Sequence, residues 1–210
     1  MARNITYILS HFKVFRIGCN FCIDVPSENP NGVKNTDEVR NKAKYTLFQC
    51  ISFLNNLYLL YDDKYKGTGR FTPYKKPNNS SESRPKAEER YPLPIEYLYR
   101  LKKDDVEPMR VAYELALRKE DGGYILTDQG GTYALLDDVY ELDSPDVIKK
   151  INNIMDRCDV FQSKDEFYIK IEGNYENDNS EKIVEAIKEA KYRLLECVSF
   201  MDNMRIFFIS

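Results

Sequence analysis

The chain has 210 residues and a formal net charge of −3, with 42% hydrophobic and 31% charged side chains. This is a globular composition, long enough for a sizeable core, and its acidic balance excludes a wholesale nucleic-acid binder while leaving local basic patches open. Five irregularly spaced cysteines, an N-terminus without a secretory apolar core, and no run near the roughly 20 apolar residues of a bilayer span predict a soluble protein of the reducing cytoplasm.

Ile5, Ile8, Leu9 and Phe12 predict a short helix over 4–12 that Asn4 can cap. Strand character follows over 13–17 and is expected to continue past Gly18 through Phe21–Val25, before a Pro- and Asn-rich loop over 26–35. A helix over 36–62 begins with Asp37 and Glu38, whose carboxylates suit the exposed amides of a first turn. Leu47, Ile51, Leu54, Tyr58 and Tyr61 form one stripe, while Phe48, Cys50, Phe53, Leu57 and Leu60 occupy other faces. Such a helix is either central to a core or covered by a partner.

Residues 64–94 lose all periodicity and read as a linker or long surface loop, either mobile or pinned by something else. Residues 95–105 suit a short helix or an extended arm. Val111, Tyr113, Leu115 and Leu117 then alternate as one half-buried strand, Asp121-Gly122-Gly123 supplies a tight turn, and 124–127 pairs back. A short helix over 132–139 follows, and Ser144-Pro145-Asp146 starts another with Val147, Ile148, Ile151, Ile154, Met155 and Cys158 on its core face. A second hairpin uses Val160-Phe161 and Phe167–Ile171. Ser180 caps a final helix carrying Ile183, Ile187, Ala190, Leu194, Val198 and Met201 at three-four spacing. The expected architecture is α+β: two β-hairpins with intervening and C-terminal helices over 95–210, preceded by a smaller helical and strand segment over 1–63 and the linker.

The corner Leu126-Thr127-Asp128-Gln129-Gly130-Gly131-Thr132 admits two readings. An Asp and glycines ahead of a helix suit a metal or phosphate at the amide end. The same residues also simply cap a turn and permit positive φ, which is the expectation here, since no Lys-Ser or Lys-Thr follows the glycines. A metal-dependent nuclease would need Glu114, Asp128 and Lys170 to converge, although the usual Glu-x-Lys spacing is absent. Cys19-x-x-Cys22 is half a zinc ribbon without its second half, so apolar burial is expected, and His11 has no partner for a nucleophilic dyad. No metal and no cofactor are assigned. In the linker, Lys64, Lys66, Arg70, Lys75 and Lys76 interleave with Tyr65, Phe71 and Tyr74, a pattern that could grip a nucleic-acid backbone and stack its bases.

From about 95 to 205 the chain resembles the prokaryotic domain of unknown function 1828. Leu126, Thr127, Asp128, Gly130, Thr132, Leu135 and Leu136 match its Leu-Thr-Asp-x-Gly-x-Thr corner and the paired leucines of the next helix, while Gln129 and Gly131 depart from its usual residues. The resemblance implies a prokaryotic setting connected with mobile elements or antiviral defence, and no established activity. Met201 and the apolar tail Ile206, Phe207, Phe208 and Ile209 need cover from the domain or another chain. The expected function is therefore a non-enzymatic accessory or protein-interaction subunit with a protein partner or self-association, against a nuclease or a nucleic-acid binder as alternatives.

Overall fold

A computed structural model describes residues 2–25, 37–61, 69–75, 90–100, 109–120, 122–173 and 181–204. Helix α1 (Ala2–His11) leads into a ribbon of β1 (Val14–Ile17) and β2 (Asn20–Ile23), and α2 (Asp37–Asn56) continues as a 3-10 turn over Leu57–Leu60. Strands β3 (Arg90–Pro92), β4 (Glu96–Arg100), β5 (Met109–Tyr113), β6 (Ala116–Glu120) and β7 (Gly123–Thr127) precede α3 (Gly131–Val139) and α4 (Pro145–Cys158). Strands β8 (Phe161–Ser163) and β9 (Glu166–Glu172) and helix α5 (Glu181–Asn203) complete an α+β fold.

Five strands form one antiparallel sheet in the order β3-β6-β7-β9-β8. The turn into β7 requires glycine: Gly123 has φ +156°, and a Cβ there would lie 2.1 Å from the Ile171 carbonyl oxygen on the neighbouring strand. The register puts Leu117, Tyr124, Leu126, Ile169 and Ile171 on one face. Against that face pack α3 and α5, whose buried Leu136, Leu194 and Val198 join the core. The other face carries Arg90, Arg118, Ile125, Thr127, Tyr168 and Lys170.

The strand predicted over 111–118 is broken. Residues 109–113 pair with β4 in a separate ribbon, and 116–120 pair with β3 and β7 in the main sheet. Glu114-Leu115 makes the transfer, with Leu115 buried and its carbonyl accepting from the Leu93 amide at 2.9 Å. Continuous alternation in sequence hides such a switch, because side chains keep their period of two on both sides of the break. The single strand expected through Gly18 is likewise two: Gly18 at φ +60° turns β1 back onto β2.

Helix α2, apolar on most of its faces, and the 3-10 turn after it bury one of them in particular. Cys50, Phe53, Leu57 and Leu60 are buried, whereas Tyr58 and Tyr61 of the predicted stripe are exposed. The reason is polar: Gln49 donates to the Ser199 hydroxyl at 3.2 Å, and Asn56 donates to a Glu196 carboxylate oxygen at 2.6 Å, both on α5. Those bonds let two amides face α5 beside the Phe53–Phe200 contact, whose ring centroids lie 5.2 Å apart.

The division into 1–63, 64–94 and 95–210 is not how the core is built. Ile8, Phe12, Phe53, Phe71, Leu126 and Met201 belong to one buried cluster. Residues 90–92 of the expected linker are a strand of the main sheet, and Phe71 is 3% exposed. Among the described residues, no helix is long and apolar enough to cross a membrane.

Candidate functional site

The corner between β7 and α3 is closed by its own side chains. Gln129 and Gly130 both have left-handed backbone, at φ 56° and 84°, so three amide groups point inward. Asp128 Oδ1 accepts from the Gly130 amide at 3.1 Å and from the Phe167 amide of β9 at 2.8 Å, while Oδ2 accepts from the Thr132 amide at 2.9 Å. The carboxylate thus caps α3 and ties it to β9. Thr127 Oγ1 accepts from the Gln129 amide at 3.1 Å and donates to Glu166 at 3.3 Å. Burial pushes the Asp128 carboxyl above its ordinary value, and the hydrogen bonds from Thr132, Phe167 and Gly130 pull it back only in part.

This geometry does not assemble the nuclease set. Asp128 is buried on the helix side of the sheet, whereas Lys170 is exposed on the opposite face, paired with Ile125 and 5.8 Å from the Phe161 ring centroid. Glu114 is exposed in the β5–β6 transfer, and its backbone carbonyl, not its carboxylate, meets Gln129 at 3.4 Å. One residue of strand register separates Thr127 from Asp128, and that single step sends the carboxylate through the sheet away from Lys170. Among the described residues, no group of three or more His, Cys, Asp or Glu is placed to hold a metal ion.

Of the linker cations read as a nucleic-acid grip, Arg70 and Lys75 fall among the described residues. Arg70 is engaged within the fold: its guanidinium meets Asp156 at 3.2 Å and Asp159 at 2.9 Å and lies 4.2 Å from the Phe161 ring centroid. Phe71, expected as a stacking platform for bases, is buried against Tyr133 and Phe167. Lys75 is exposed, and Lys64, Lys66 and Lys76 lie outside the described residues. Met201 offers no interaction surface, being 0% exposed, with its carbonyl bonded by the Tyr140 hydroxyl at 2.9 Å. Ile206, Phe207, Phe208 and Ile209 lie outside the described residues.

A second polar cluster occupies the outer sheet face. Arg90 meets Glu166 at 2.8 Å, and Arg118 meets the other oxygen of the same carboxylate at 3.4 Å. Sequence reading missed it because its members come from three strands that only the fold makes neighbours. A third lies under α5, where Arg100 Nε meets both oxygens of Asp202, at 2.7 and 2.9 Å. Burial pulls the Arg100 guanidinium down, but the hydrogen bond and charge of Asp202 outweigh it and hold it up. In the second and third clusters each buried guanidinium meets a carboxylate, although Arg90 Nε and Arg100 Nη2 find no hydrogen-bond partner among the described residues.

The β1–β2 ribbon has the opposite character. Val14, Phe21 and Ile23 share the face that packs on the core, while Phe15, Ile17, Asn20 and Cys22 share the other. On that outer face Ile17 is 62% exposed and Phe15 38% exposed. Cys19 is exposed at the turn and Cys22 half-buried, so the expected apolar burial of this pair holds for neither fully. The signal that would have revealed the surface was present: Gly18-Cys19 between two short apolar strands is a two-residue hairpin connection. No protein-family model, curated protein or solved structure matches the chain.

Proposed function

We propose that the protein is a non-enzymatic interaction subunit that docks on a second protein surface, its own copy or a partner, through the outer face of the β1–β2 ribbon. The observation that carries this is the adjacency of exposed Phe15 and Ile17 on a ribbon whose opposite face is already packed. Scattered exposed apolar residues need no explanation, but two on one face of a ribbon are an anchor of the kind that interface centres use. The engagement of Asp128 and Arg70 in bonds within the fold supports the same reading, because both already have a structural role. The prokaryotic, mobile-element or defence setting of this reading rests on the resemblance over 95–205 alone.

The test is the mass of the full chain in solution, alone and after purification from its native cell under mild conditions. The expected result is either a concentration-dependent dimer or a stoichiometric partner, with Ile17→Glu abolishing it. A wild-type chain that stays monomeric and unaccompanied at all concentrations would sink the reading. An assembly indifferent to Ile17→Glu would move the interface elsewhere.

A further inference from the structure

Residues Gly69–Lys75 form a strap held in a groove between α3, α4 and β8, and the way it is held is unlike the rest of the fold. The bonds to its main chain come from side chains. Asn152 Oδ1 accepts from the Phe71 amide at 2.7 Å. The Gln162 amide reads Thr72 on both sides, accepting from its N–H at 2.8 Å and donating to its carbonyl at 3.0 Å. The Tyr133 hydroxyl does the same for Tyr74, at 2.6 and 3.0 Å. Pro73, which has no N–H to satisfy, falls between the two residues that are read in this way.

Side-chain specificity is equally complete. The Phe71 ring lies nearly parallel to Phe167, with centroids 6.3 Å apart and an interplanar angle of 2°. Arg70 enters an acidic mouth made by Asp156 and Asp159. An aromatic anchor, a charged neighbour, and amide groups that read the backbone of an extended segment are the components of a peptide-recognition site.

We propose that this groove is a site for an extended Arg-Phe-x-x-Tyr segment, filled in cis by residues 69–75, and that it accepts the same segment of a second copy once its own strap is released. None of the contacts depends on the strap belonging to the same chain. What keeps the groove filled in cis is tethering, which gives the strap an effective concentration on the order of millimolar. At micromolar protein, a second copy cannot compete with that. The groove is separate from the β1–β2 ribbon, so the proposal stands independently of the docking reading above.

The test uses two full-length variants. Phe71→Ala leaves the groove intact but weakens its own strap; the double variant Asn152→Ala, Gln162→Ala leaves the strap intact but removes its main-chain readers. Mixed at about 100 µM, the two should form a 1:1 complex with a Kd on the order of 100 µM, while neither variant alone gains mass by this route. A fluorescent heptapeptide of sequence 69–75 should bind the Phe71→Ala variant with similar affinity and the wild type at least tenfold more weakly. Thr72→Pro, which deletes the amide that Gln162 reads but keeps Phe71, should admit the same peptide. Folded variants that take up neither the peptide nor the complementary chain would overturn the proposal. So would failure of both Phe71→Ala and Thr72→Pro to fold, because the strap would then be an integral part of the core.

Discussion

At the corner between β7 and α3, three polar residues, Thr127, Asp128 and Thr132, are buried; on the outer face of the β1–β2 ribbon, two large apolar residues, Phe15 and Ile17, face water. The difference separates two reasons for a residue to break the inside-outside rule. The Thr127 and Asp128 side chains at the corner accept from main-chain amides, so they serve architecture. Among the described residues nothing covers the exposed apolar groups of the ribbon, and the proposed docking rests on that exposure. The segment that attracts most notice as a motif is thereby the one with least chemistry to spare.

The largest test of that contrast is Asp128→Ala. It removes one acceptor group and orphans three buried amides, those of Gly130, Thr132 and Phe167. At about 1–3 kcal/mol for each unsatisfied buried group, the loss should be about 3 kcal/mol or more. A urea midpoint unchanged from wild type would show that water enters the corner, and the architectural account would then fail.

Asp128→Asn sharpens the same point at smaller scale. An asparagine keeps one acceptor oxygen, but its NH2 group must face an amide donor, costing about 1–3 kcal/mol. The pH dependence adds an independent signature. Because burial raises the folded-state value above the ordinary 3.8, the native state binds this proton more tightly than the unfolded chain. The contribution of the group to stability is therefore most favourable below the unfolded value and declines as pH rises through the folded one. The variant has no such proton, so the gap between wild type and variant in denaturation midpoints should widen toward acid.

At the ribbon the expectation is reversed. Ile17→Glu changes a side chain already 62% exposed, so stability should move by less than about 0.5 kcal/mol. Assembly, measured by sedimentation, should disappear. A folding defect in this variant, or an assembly that ignores it, would break the comparison from the other side.

Legibility in the sequence follows the same line. Helices α4 and α5 could be read because their apolar residues recur at helical spacing over many turns, and the buried Ile151, Ile154, Met155, Leu194 and Val198 are where periodicity puts them. The corner was legible as a turn because Thr, Asp and Gly each carry a local mechanism. What could not be read depended on contacts distant in sequence. The inward turn of Gln49 and Asn56 is decided by Ser199 and Glu196, some 140 to 150 residues away. The strand transfer at Glu114-Leu115 is decided by which neighbour each half finds. The strap over 69–75 has a loop's composition, and its partners Tyr133, Asn152, Asp156, Gln162 and Phe167 all lie far along the chain.

The mildest perturbation is chemical. Cys50, Cys158 and Cys197 are buried; burial pushes the Cys50 thiol up to about 12, and the Cys197 thiol is raised well above its ordinary range by burial and the adjoining Cys158. At neutral pH the thiolate fraction of Cys50 and Cys197 is negligible, and burial blocks access to all three, so they should react with an alkylating agent only as the chain unfolds. Cys19, exposed at the ribbon turn, should react first, and Cys19→Ser should delete that phase without altering stability. Half-buried Cys22 is the informative one, since it shares the outer ribbon face with Phe15 and Ile17. If that face docks on another surface, Cys22 should label more slowly as concentration or partner rises, and Ile17→Glu should remove the protection. Labelling of Cys22 at one rate in all conditions would mean that the apolar face stays in water, and the contrast between ribbon and corner would lose its functional half.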